Sequence, residues 1–447
     1  MEALGRGVLR GCGRALIVIS VLTCGFAQQP DQYDLLLKGG HVIDAKNKIS
    51  AIRDVAIKDG KIAAVEPRID PSKAFKTVNV RGLYVTPGLV DIHVHVYTGT
   101  GEPRSYAGDL SLAPDGFTFR SGVTTVGDAG CAGWRNFEDF KQRIIDRSKT
   151  RVLAFLNIVG NGMRGGKFED DLTDMDAKPA AEMAMKYKGL IVGIKTAHYA
   201  GPEWTPVEHA VEAGTIANIP VMVDFGQNRP ERPMAELVTK KLRPGDIYTH
   251  VYSGLRNEQD GSLRVNPALW EARKRGVIFD VGHGGGSFSW GIVVPALKEG
   301  FFPDSISTDL HAGSMNKGLK DMANLLSKFL VMGMPLDDVI ARSTWNPARE
   351  IHHEELGNLS IGAPADVTVL RVEHGVFGYD DMYGARLRGD KKLVCELTIR
   401  EGKVVYDLNA ITRPDWKSLP PGYRQTGDPR WDGIHPPPPV RPQVPVH

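Results

Sequence analysis

Cysteine is scarce in this chain. Four of its 447 residues are cysteines, and two of these, Cys12 and Cys24, lie within the first 27 residues. The remaining pair, Cys131 and Cys395, is too small for a disulfide framework, and its spacing matches no zinc motif. One bridge between the two stays open, but two unpaired thiols are favoured. A disulfide-stabilised scaffold is therefore excluded.

A charge imbalance is also missing. The 55 basic and 53 acidic residues leave a net charge of +2, and the 42 % hydrophobic content is ordinary for a globular protein. This balance gives no indication of nucleic acid or an anionic membrane as a partner. We therefore expect a small-molecule substrate and no nucleic-acid partner. A homo-oligomer is compatible with the composition but is not indicated by it.

Long apolar runs are absent apart from Ala15–Phe26, which follows three arginines. This run is too short for a bilayer, which takes roughly 20 residues to cross. A basic segment, a short apolar run and small residues at Gly25 and Ala27 are typical of a secretory signal cleaved after Ala27. We therefore predict no membrane span, a signal peptide over residues 1–27, and export to the periplasm or the medium.

A glycine-rich phosphate loop does not follow the first long apolar strand, which argues against an open doubly wound sheet. Eight strand–helix units instead occupy about 260 residues, the number and length typical of a (β/α)8 or TIM barrel. The predicted strands are Leu89–Val96, Thr124–Asp128, Val152–Ile158, Leu190–Lys195, Val221–Asp224, Ile247–His250, Val277–Asp280 and Ser305–Asp309. The predicted fold class is therefore α/β, with a TIM barrel.

Short strands flank the barrel at both ends of the chain. Leu35–Leu37 and His41–Ile43, separated by a turn at Lys38–Gly40, precede the barrel, and Ala365–Leu370 is the first strand after it. These segments are too short for separate cores, so we expect them to pair into one small β-sandwich. The predicted domains are 28–86 and 356–412 for the sandwich, 87–355 for the barrel, and 413–447 for a proline-rich, extended or disordered C-terminal extension.

Two histidines and a lysine end apolar barrel strands. Residues two apart in a strand share a face, so His93 and His95 converge, and paired imidazoles are good zinc ligands. Lys195 ends the run Gly189–Lys195, where a buried lysine needs a partner or a modification. Carbamylation by CO2 would make it an anionic ligand able to bridge two cations, and a lowered lysine pKa favours that reaction. The alternative is a lysine paired with an acid or a substrate anion.

Three further residues are candidates for the same site. His250 and Asp309 each close a later strand, at the barrel end where catalytic groups lie. His283 lies in the loop Gly282–Gly286, where glycines allow a ligand to approach the backbone closely. Two interpretations of His283 remain open, a substrate-binding residue and a structural loop histidine.

The order His-x-His, Lys, His, Asp at the ends of strands one, four, six and eight resembles the amidohydrolase superfamily. Four phrases, Pro87–His95, Thr249–Gly254, Asp280–Gly285 and Ser307–His311, are similar to those of dihydroorotase-like deacetylases. Those enzymes hydrolyse N-acetyl-D-amino acids and related acetyl esters. The chain departs from this pattern at the end of strand five, where Asp224 stands in place of the usual histidine ligand.

The resemblance implies two divalent metal ions, with zinc expected. His93, His95 and Asp309 would hold one ion, His250 and Asp224 the other, and carbamylated Lys195 would bridge them. Asp224 is favoured as a direct or water-mediated ligand. A weak second site and a lost activity are the other interpretations of this aspartate.

The activity implied is hydrolysis of a small amide or ester by a hydroxide held between the ions. Asp309 would take the proton of that hydroxide and pass it to the leaving group. Deacetylation of an N-acetyl amino acid or an acetyl ester is the main prediction. The alternatives are a cyclic-amide hydrolase of the dihydroorotase or hydantoinase type, an acyl-amino-acid dipeptidase, and an inactive binding protein on the same barrel.

Overall fold

The computed structural model describes residues 32–419, 421 and 422, without residues 225 and 227. The predicted signal peptide and most of the predicted extension lie outside this range. The described start of the extension contains a 3-10 turn, Trp416–Ser418. Within the described part of the chain, no helix has the length and apolar character needed to cross a membrane.

The strands fall into two sheets. In chain order they are β1 (Tyr33–Asp44), β2 (Ile49–Lys58), β3 (Lys61–Glu66), β4 (Ala74–Asn79), β5 (Tyr84–Pro87), β6 (Leu89–Val94), β7 (Val123–Gly133), β8 (Arg151–Asn157), β9 (Ile191–Thr196), β10 (Val221–Val223), β11 (Ile247–Tyr248), β12 (Ile278–Phe279), β13 (Val367–Asp380), β14 (Arg386–Arg400) and β15 (Lys403–Asp407). Strands β6 to β12 form a parallel sheet in sequential order, and the other eight form a mixed sheet. Seven of the eight predicted barrel strands are therefore present.

The eighth predicted strand, Ser305–Asp309, is not assigned as a strand but lies where the barrel closes. Isolated parallel bridges join Ser305 to Asp280 and Leu310 to Val94. Asp280 follows β12 and Val94 ends β6, and these two strands are the edges of the parallel sheet. The backbone N–H groups of Val281 and His283 donate to the carbonyls of Ser305 and Ser307, whereas the Thr308 N–H donates to the Asp91 carboxylate, 3.0 Å away. The segment nevertheless places its side chains beside those of the first strand.

The segments before and after the barrel share the mixed sheet, in the order β15-β14-β13-β5-β1-β2-β3, with β4 on β1. Strand β5 joins them, because it pairs with β1 on one side and with β13 on the other. The pairing of the two segments is thus confirmed, whereas their closure into a small sandwich stays a prediction. The predicted turn at Lys38–Gly40 is wrong: these residues form an irregularity inside β1, where the Gly39 N–H donates to Asp54.

Helices follow the barrel strands and pack on the parallel sheet. They are α1 (Phe137–Phe140), α2 (Gly166–Glu169), α3 (Ala177–Lys186), α4 (Thr205–Ala217), α5 (Met234–Glu236), α6 (Pro267–Lys274), α7 (Trp290–Lys298), α8 (Ala312–Met315), α9 (Met322–Val331), α10 (Leu336–Ala341) and α11 (Trp345–Glu350). One large buried cluster contains strand residues such as Leu156 and Val223 together with helix residues such as Ala210 and Leu326. This packing holds the strands in register and so positions the residues at their carboxyl ends.

Candidate active site

The six predicted metal-binding residues lie on different barrel strands or directly after them. His93 and Lys195 lie within β6 and β9, and Asp224 and His250 follow the ends of β10 and β11. His250 and Asp309 adopt left-handed backbone conformations, with φ of 64° and 50°. This region is uncommon for residues other than glycine and costs about 1–3 kcal/mol, so it persists where surrounding contacts enforce it.

All six residues line one cavity of about 340 Å³. Its wall consists of His93, His95, Tyr106, Met163, Lys195, His198, Asp224, Gly226, His250, Leu255, Arg256, Gly285, Gly286, Ser287 and Asp309. The fold thus brings together residues that are up to 216 positions apart in the chain, from His93 to Asp309. The cavity is large enough for a small substrate.

The tightest group in this cavity is formed by His93, His250 and Asp309. Among the residues that the structure describes, these are the three whose ligand atoms all lie within 4.8 Å of one another, and all three are buried. His95 joins them, because its Nε2 lies 3.0 Å from Asp309 Oδ1, while His93 Nε2 is 3.6 Å from the same oxygen. Imidazole nitrogens and a carboxylate oxygen therefore converge on one point.

The outer nitrogens of His93 and His250 are held by neighbouring groups. His250 Nδ1 lies 2.6 Å from the Gly282 carbonyl, which can only accept a hydrogen bond. An N–H on Nδ1 therefore donates to this carbonyl, and Nε2 faces the cavity. His93 Nδ1 lies 3.0 Å from the Thr249 hydroxyl, which itself donates to Asp280. Such outer partners fix the orientation of histidines that bind metals.

Lys195 is completely buried beside these histidines, with its Nζ 3.3 Å from His93 Nε2. Burial lowers the pKa of its amine. No carboxylate of the described residues forms an ion pair with Nζ, so the pairing with an acid that the sequence left open is not seen. Space for the side chain comes from Gly130, where a Cβ atom would lie only 2.7 Å from Lys195 Cγ. The structure thus holds an amine that is buried, unpaired and surrounded by potential ligands.

The surroundings of the Asp309 carboxylate show whether the cavity suits a metal cation. Its Oδ1 is buried and accepts no hydrogen bond within the described structure, although it faces the Nε2 atoms of His93 and His95. Burial alone would raise the pKa of this carboxyl, but the His93 and His95 imidazoles lower it well below its ordinary value. A buried carboxylate oxygen and the imidazole nitrogens beside it form a donor set suited to a divalent cation such as zinc.

Asp224 lies inside the cavity, on the side of His250. Its Oδ2 is 3.3 Å from His250 Nε2, and its Oδ1 accepts a hydrogen bond of 2.6 Å from Arg256 Nη2. Burial raises the pKa of this carboxyl, but His250 and Arg256 outweigh burial and leave the pKa well below the ordinary value. Asp224 is thus an ionised carboxylate with one oxygen directed to the candidate metal ligands.

His283 lies beneath the cavity and is not part of its wall. Its side chain is fully buried and stacks on Phe288, with ring centroids 4.4 Å apart. Its Nε2 lies 2.7 Å from Lys328 Nζ, and its Nδ1 lies 3.1 Å from the Gly284 carbonyl. With both nitrogens engaged and no exposed atoms, the contacts favour a structural loop histidine over a substrate-binding residue.

The cavity wall also contains Tyr106, His198 and Arg256, which the sequence did not single out. His198 follows Lys195 by three positions and Arg256 follows His250 by six, so proximity to a strand end was the available signal. Tyr106 lies in the long segment between β6 and β7, where no periodicity marks it. Both cysteines of the described chain, Cys131 and Cys395, are free and buried, as favoured from the sequence.

The fold and this site define a TIM-barrel hydrolase with a candidate metal centre at the carboxyl ends of its strands. Residues 292–405 match the family model described as amidohydrolase family. A deacetylase of Brucella anthropi is 35 % identical over 333 residues, which are 72 % of this chain and 79 % of that protein. The chain therefore belongs to the amidohydrolase family, as the resemblance predicted.

Solved structures agree with this assignment. The chain is similar to a crystal structure titled adenine deaminase, with a TM-score of 0.77 and 30 % identity over 84 % of this chain and 100 % of that one. A structure titled dihydroorotase gives a TM-score of 0.73 and 31 % identity over 83 % and 99 %. Both alignments span almost the whole of the compared chain, so the likeness covers barrel and mixed sheet together.

Proposed function

We propose that this protein is a metal-dependent deacetylase that hydrolyses a small acetylated amide or ester. The observation that carries the proposal is the convergence of His93, His95 and His250 on the buried Asp309 carboxylate, whose Oδ1 accepts no hydrogen bond from a described residue. The deacetylase name of the Brucella anthropi relative supports the choice of bond. The leader pattern of residues 1–27 further supports an exported enzyme, periplasmic or secreted.

Two divalent cations, with zinc expected, would be held by the residues that line the cavity. His93, His95 and Asp309 would hold one cation, and His250 and Asp224 the other. Lys195 would bridge them as a carbamate, because its buried, unpaired amine has a lowered pKa and lies beside His93. When bound, two such ions lower the pKa of a water molecule and polarise a carbonyl group.

The chain itself supplies the proton transfer. Asp309 is ionised, so a carboxylate oxygen can accept a proton from the attacking water and then donate it to the nitrogen or oxygen of the leaving group. Gly284 allows this, because a Cβ at its position would lie 2.1 Å from Asp309 Oδ2. Only a residue without a side chain leaves that oxygen free to move the proton.

Arg256 supports a substrate that carries a carboxylate. It lines the cavity, and its Nη2 binds Asp224 while its Nη1 is buried without a hydrogen-bond partner in the described chain. The guanidinium group places a positive charge in the cavity wall, which would attract a substrate carboxylate. N-acetyl amino acids and acetylated hydroxy acids combine such a carboxylate with an acetyl group, and both fit the cavity volume.

A cyclic-amide hydrolase is the second candidate. The observation in its favour is the similarity to the structure titled dihydroorotase, which extends over 99 % of that chain. A ring amide would use the same convergent groups and differ in the loops around the cavity. A dipeptidase and an inactive binding protein remain weaker alternatives, since no contact in the cavity favours either.

The experiment is a panel of substrates. The protein is first freed of metal with a chelator and is then reloaded with zinc, cobalt or manganese. N-acetyl-D- and L-amino acids, acetylated hydroxy acids, dihydroorotate, a hydantoin and an acylated dipeptide are compared under identical conditions. We expect acetate release from at least one acetylated acid, with close to two equivalents of metal bound per chain. Lys195→Ala should lose most of this activity, and short carboxylic acids should restore part of it.

The panel separates the candidates. Ring opening without acetate release would favour the cyclic-amide hydrolase, and cleavage of the dipeptide alone would favour the dipeptidase. Protein that binds no divalent metal and turns over nothing would overturn the proposed function. A fully active Lys195→Ala variant would remove the bridging role of this lysine but not the deacetylase assignment.

A further inference from the structure

His198 is a cavity residue to which the proposed reaction gives no role. It lies just beyond β9, three residues after Lys195, in a left-handed backbone conformation with φ of 61°. Its ring faces the cavity from the side of Asp224 and stacks on Tyr106, with centroids 4.9 Å apart and planes inclined by 21°. The imidazole is therefore held rigidly at the edge of the candidate metal centre.

The outer nitrogen of His198 is held by a buried carboxylate. Its Nδ1 lies 2.7 Å from Glu169 Oε2, and Glu169 is 5 % exposed. A carboxylate on Nδ1 keeps a proton on that nitrogen and orients the ring so that Nε2 points to the opposite side. This carboxylate–imidazole arrangement is the one that supports histidines bound to metal ions.

The inner nitrogen of His198 meets Asp224 Oδ2 at 3.3 Å, which is the same as the distance from that oxygen to His250 Nε2. Two ligand atoms that are each about 2.0 Å from one tetrahedral ion lie roughly 3.3 Å apart. The spacing of Asp224 Oδ2 from both imidazoles is therefore that of neighbouring ligands. The other oxygen, Oδ1, is occupied by Arg256.

The position of His198 also accounts for the aspartate at the end of strand five. Asp224 is shorter than the histidine found there in the family, so it reaches less far into the cavity. His198 approaches from the adjacent strand, since β9 and β10 are neighbours in the sheet, and its ring occupies the space beside the aspartate. An imidazole is thus present near strand five, although strand five does not supply it.

We propose that His198 and Asp224 together hold the second divalent cation, with His198 Nε2 in place of the histidine that strand five lacks. This inference rests on the proposed two-metal function and specifies how its second site is built. Glu169 acts as a positioning residue that orients the His198 ring. The rival explanation is that His198 is an imidazolium clamped between Glu169 and Asp224 that binds no metal.

The test measures metal content and coordination rather than activity alone. The protein is freed of metal with a chelator, reloaded with Co²⁺ and passed through a desalting column. The bound cobalt per chain and the visible absorption bands are then measured. We expect two equivalents for the parent and about one for His198→Ala, with loss of the bands of one site. His209→Ala, on α4 and outside the cavity wall, is the matched control and should keep two equivalents.

Two further variants make the test decisive. Asp224→His in the His198→Ala background returns the family arrangement and should restore two equivalents, whereas loss of a mere ion pair would not be repaired in this way. Glu169→Gln should weaken cobalt binding at one site by about 10-fold or more. If the His198→Ala variant does not fold, Glu169→Gln tests the proposal in its place.

The outcomes distinguish the inference from the proposed function. Two equivalents with parent-like bands in both His198→Ala and Glu169→Gln would overturn the role of His198 and leave the two-metal enzyme intact. A parent protein that binds no cobalt would instead overturn the proposed function itself. A restored second equivalent in the double variant supports the inference, and a double variant that remains at one equivalent contradicts it.

Discussion

At the residue scale, the candidate site depends on histidines that are held by a hydrogen bond at Nδ1 and present Nε2 to the cavity. His250 is held through Gly282, and His93 through Thr249, so each imidazole presents Nε2 to the cavity. Asp309 differs, because its Oδ1 is buried without a donor. An unsatisfied buried carboxylate is costly in a folded protein, which indicates that its role is in binding and chemistry rather than in stability.

Asp309→Asn tests this distinction. The amide has the same size but cannot accept the proton, so we expect kcat to fall by about 10² or more. The midpoint of thermal unfolding should change little, because Oδ1 makes no hydrogen bond that the variant would lose. Steady-state kinetics and calorimetry are measured together with metal content, which shows whether a ligand was lost as well.

Asp337→Asn on α10 is the control, since that aspartate is exposed and distant from the cavity wall. It should match the parent in both measurements. A near-normal kcat in Asp309→Asn would assign the proton transfer to another group.

At the scale of elements, α9 stabilises the loop that follows β12. Lys328 on this helix is fully buried, and its Nζ donates to the carbonyls of Gly318 and Asp380 and lies 2.7 Å from His283 Nε2. One ammonium group therefore joins a helix, a loop beside Asp309 and the end of β13. Burial lowers the pKa of this lysine to about 7.

Lys328→Met removes all three interactions and leaves their acceptors buried. We expect the free energy of unfolding to fall by at least about 2 kcal/mol at pH 7, from the usual cost of unsatisfied buried groups. Urea denaturation measures this effect. Lys298→Met, an exposed lysine on α7, is the control and should leave the unfolding free energy close to that of the parent.

The difference in unfolding free energy between the parent and Lys328→Met should depend on pH. Because the pKa of Lys328 is about 7 in the folded chain and near 10.5 when unfolded, the unfolded state binds more protons between these values. The stability of the parent relative to Lys328→Met should therefore rise from pH 7 to pH 9, by up to about 1.4 kcal/mol per pH unit. A difference that stays constant would contradict a lowered pKa.

At the scale of the whole molecule, the described segments before and after the barrel contribute to one sheet, and the barrel lies between them in sequence. The mixed sheet is joined by the pairing of β5 with β13, for example Thr86 with Thr368. The first and last described strands, β1 and β15, thus lie in the same sheet. The predicted signal peptide, residues 1–27, precedes β1 in sequence, so its removal would take away none of the described strands of this sheet.

The exported form should therefore begin near Gln28, after cleavage behind Ala27. Intact-mass measurement of protein recovered from the periplasm or the medium checks this. A mass that includes residues 1–27 would exclude cleavage of the leader. Ala27→Arg is a suitable companion variant, because it removes the small residue at the cleavage site and should leave the leader attached.

The sequence by itself determined the barrel class and most of the metal candidates. Apolar runs that end in a polar residue are local patterns, and parallel strands bring their carboxyl ends to the same edge. His93, Lys195, His250 and Asp309 could therefore be predicted to meet. The exact ends of β10, β11 and β12 could not, because two or three paired residues leave little periodic signal.

Only the tertiary structure decided which loop residues join the site. His198 and Glu169 lie 29 residues apart, and Arg256 and Asp224 lie 32 apart, so no spacing rule links them. Loops have no repeating pattern, and their side chains are positioned by the elements they contact. The same reason explains His283, which is buried because Phe288 and Lys328 pack around it rather than because of its glycine-rich neighbours.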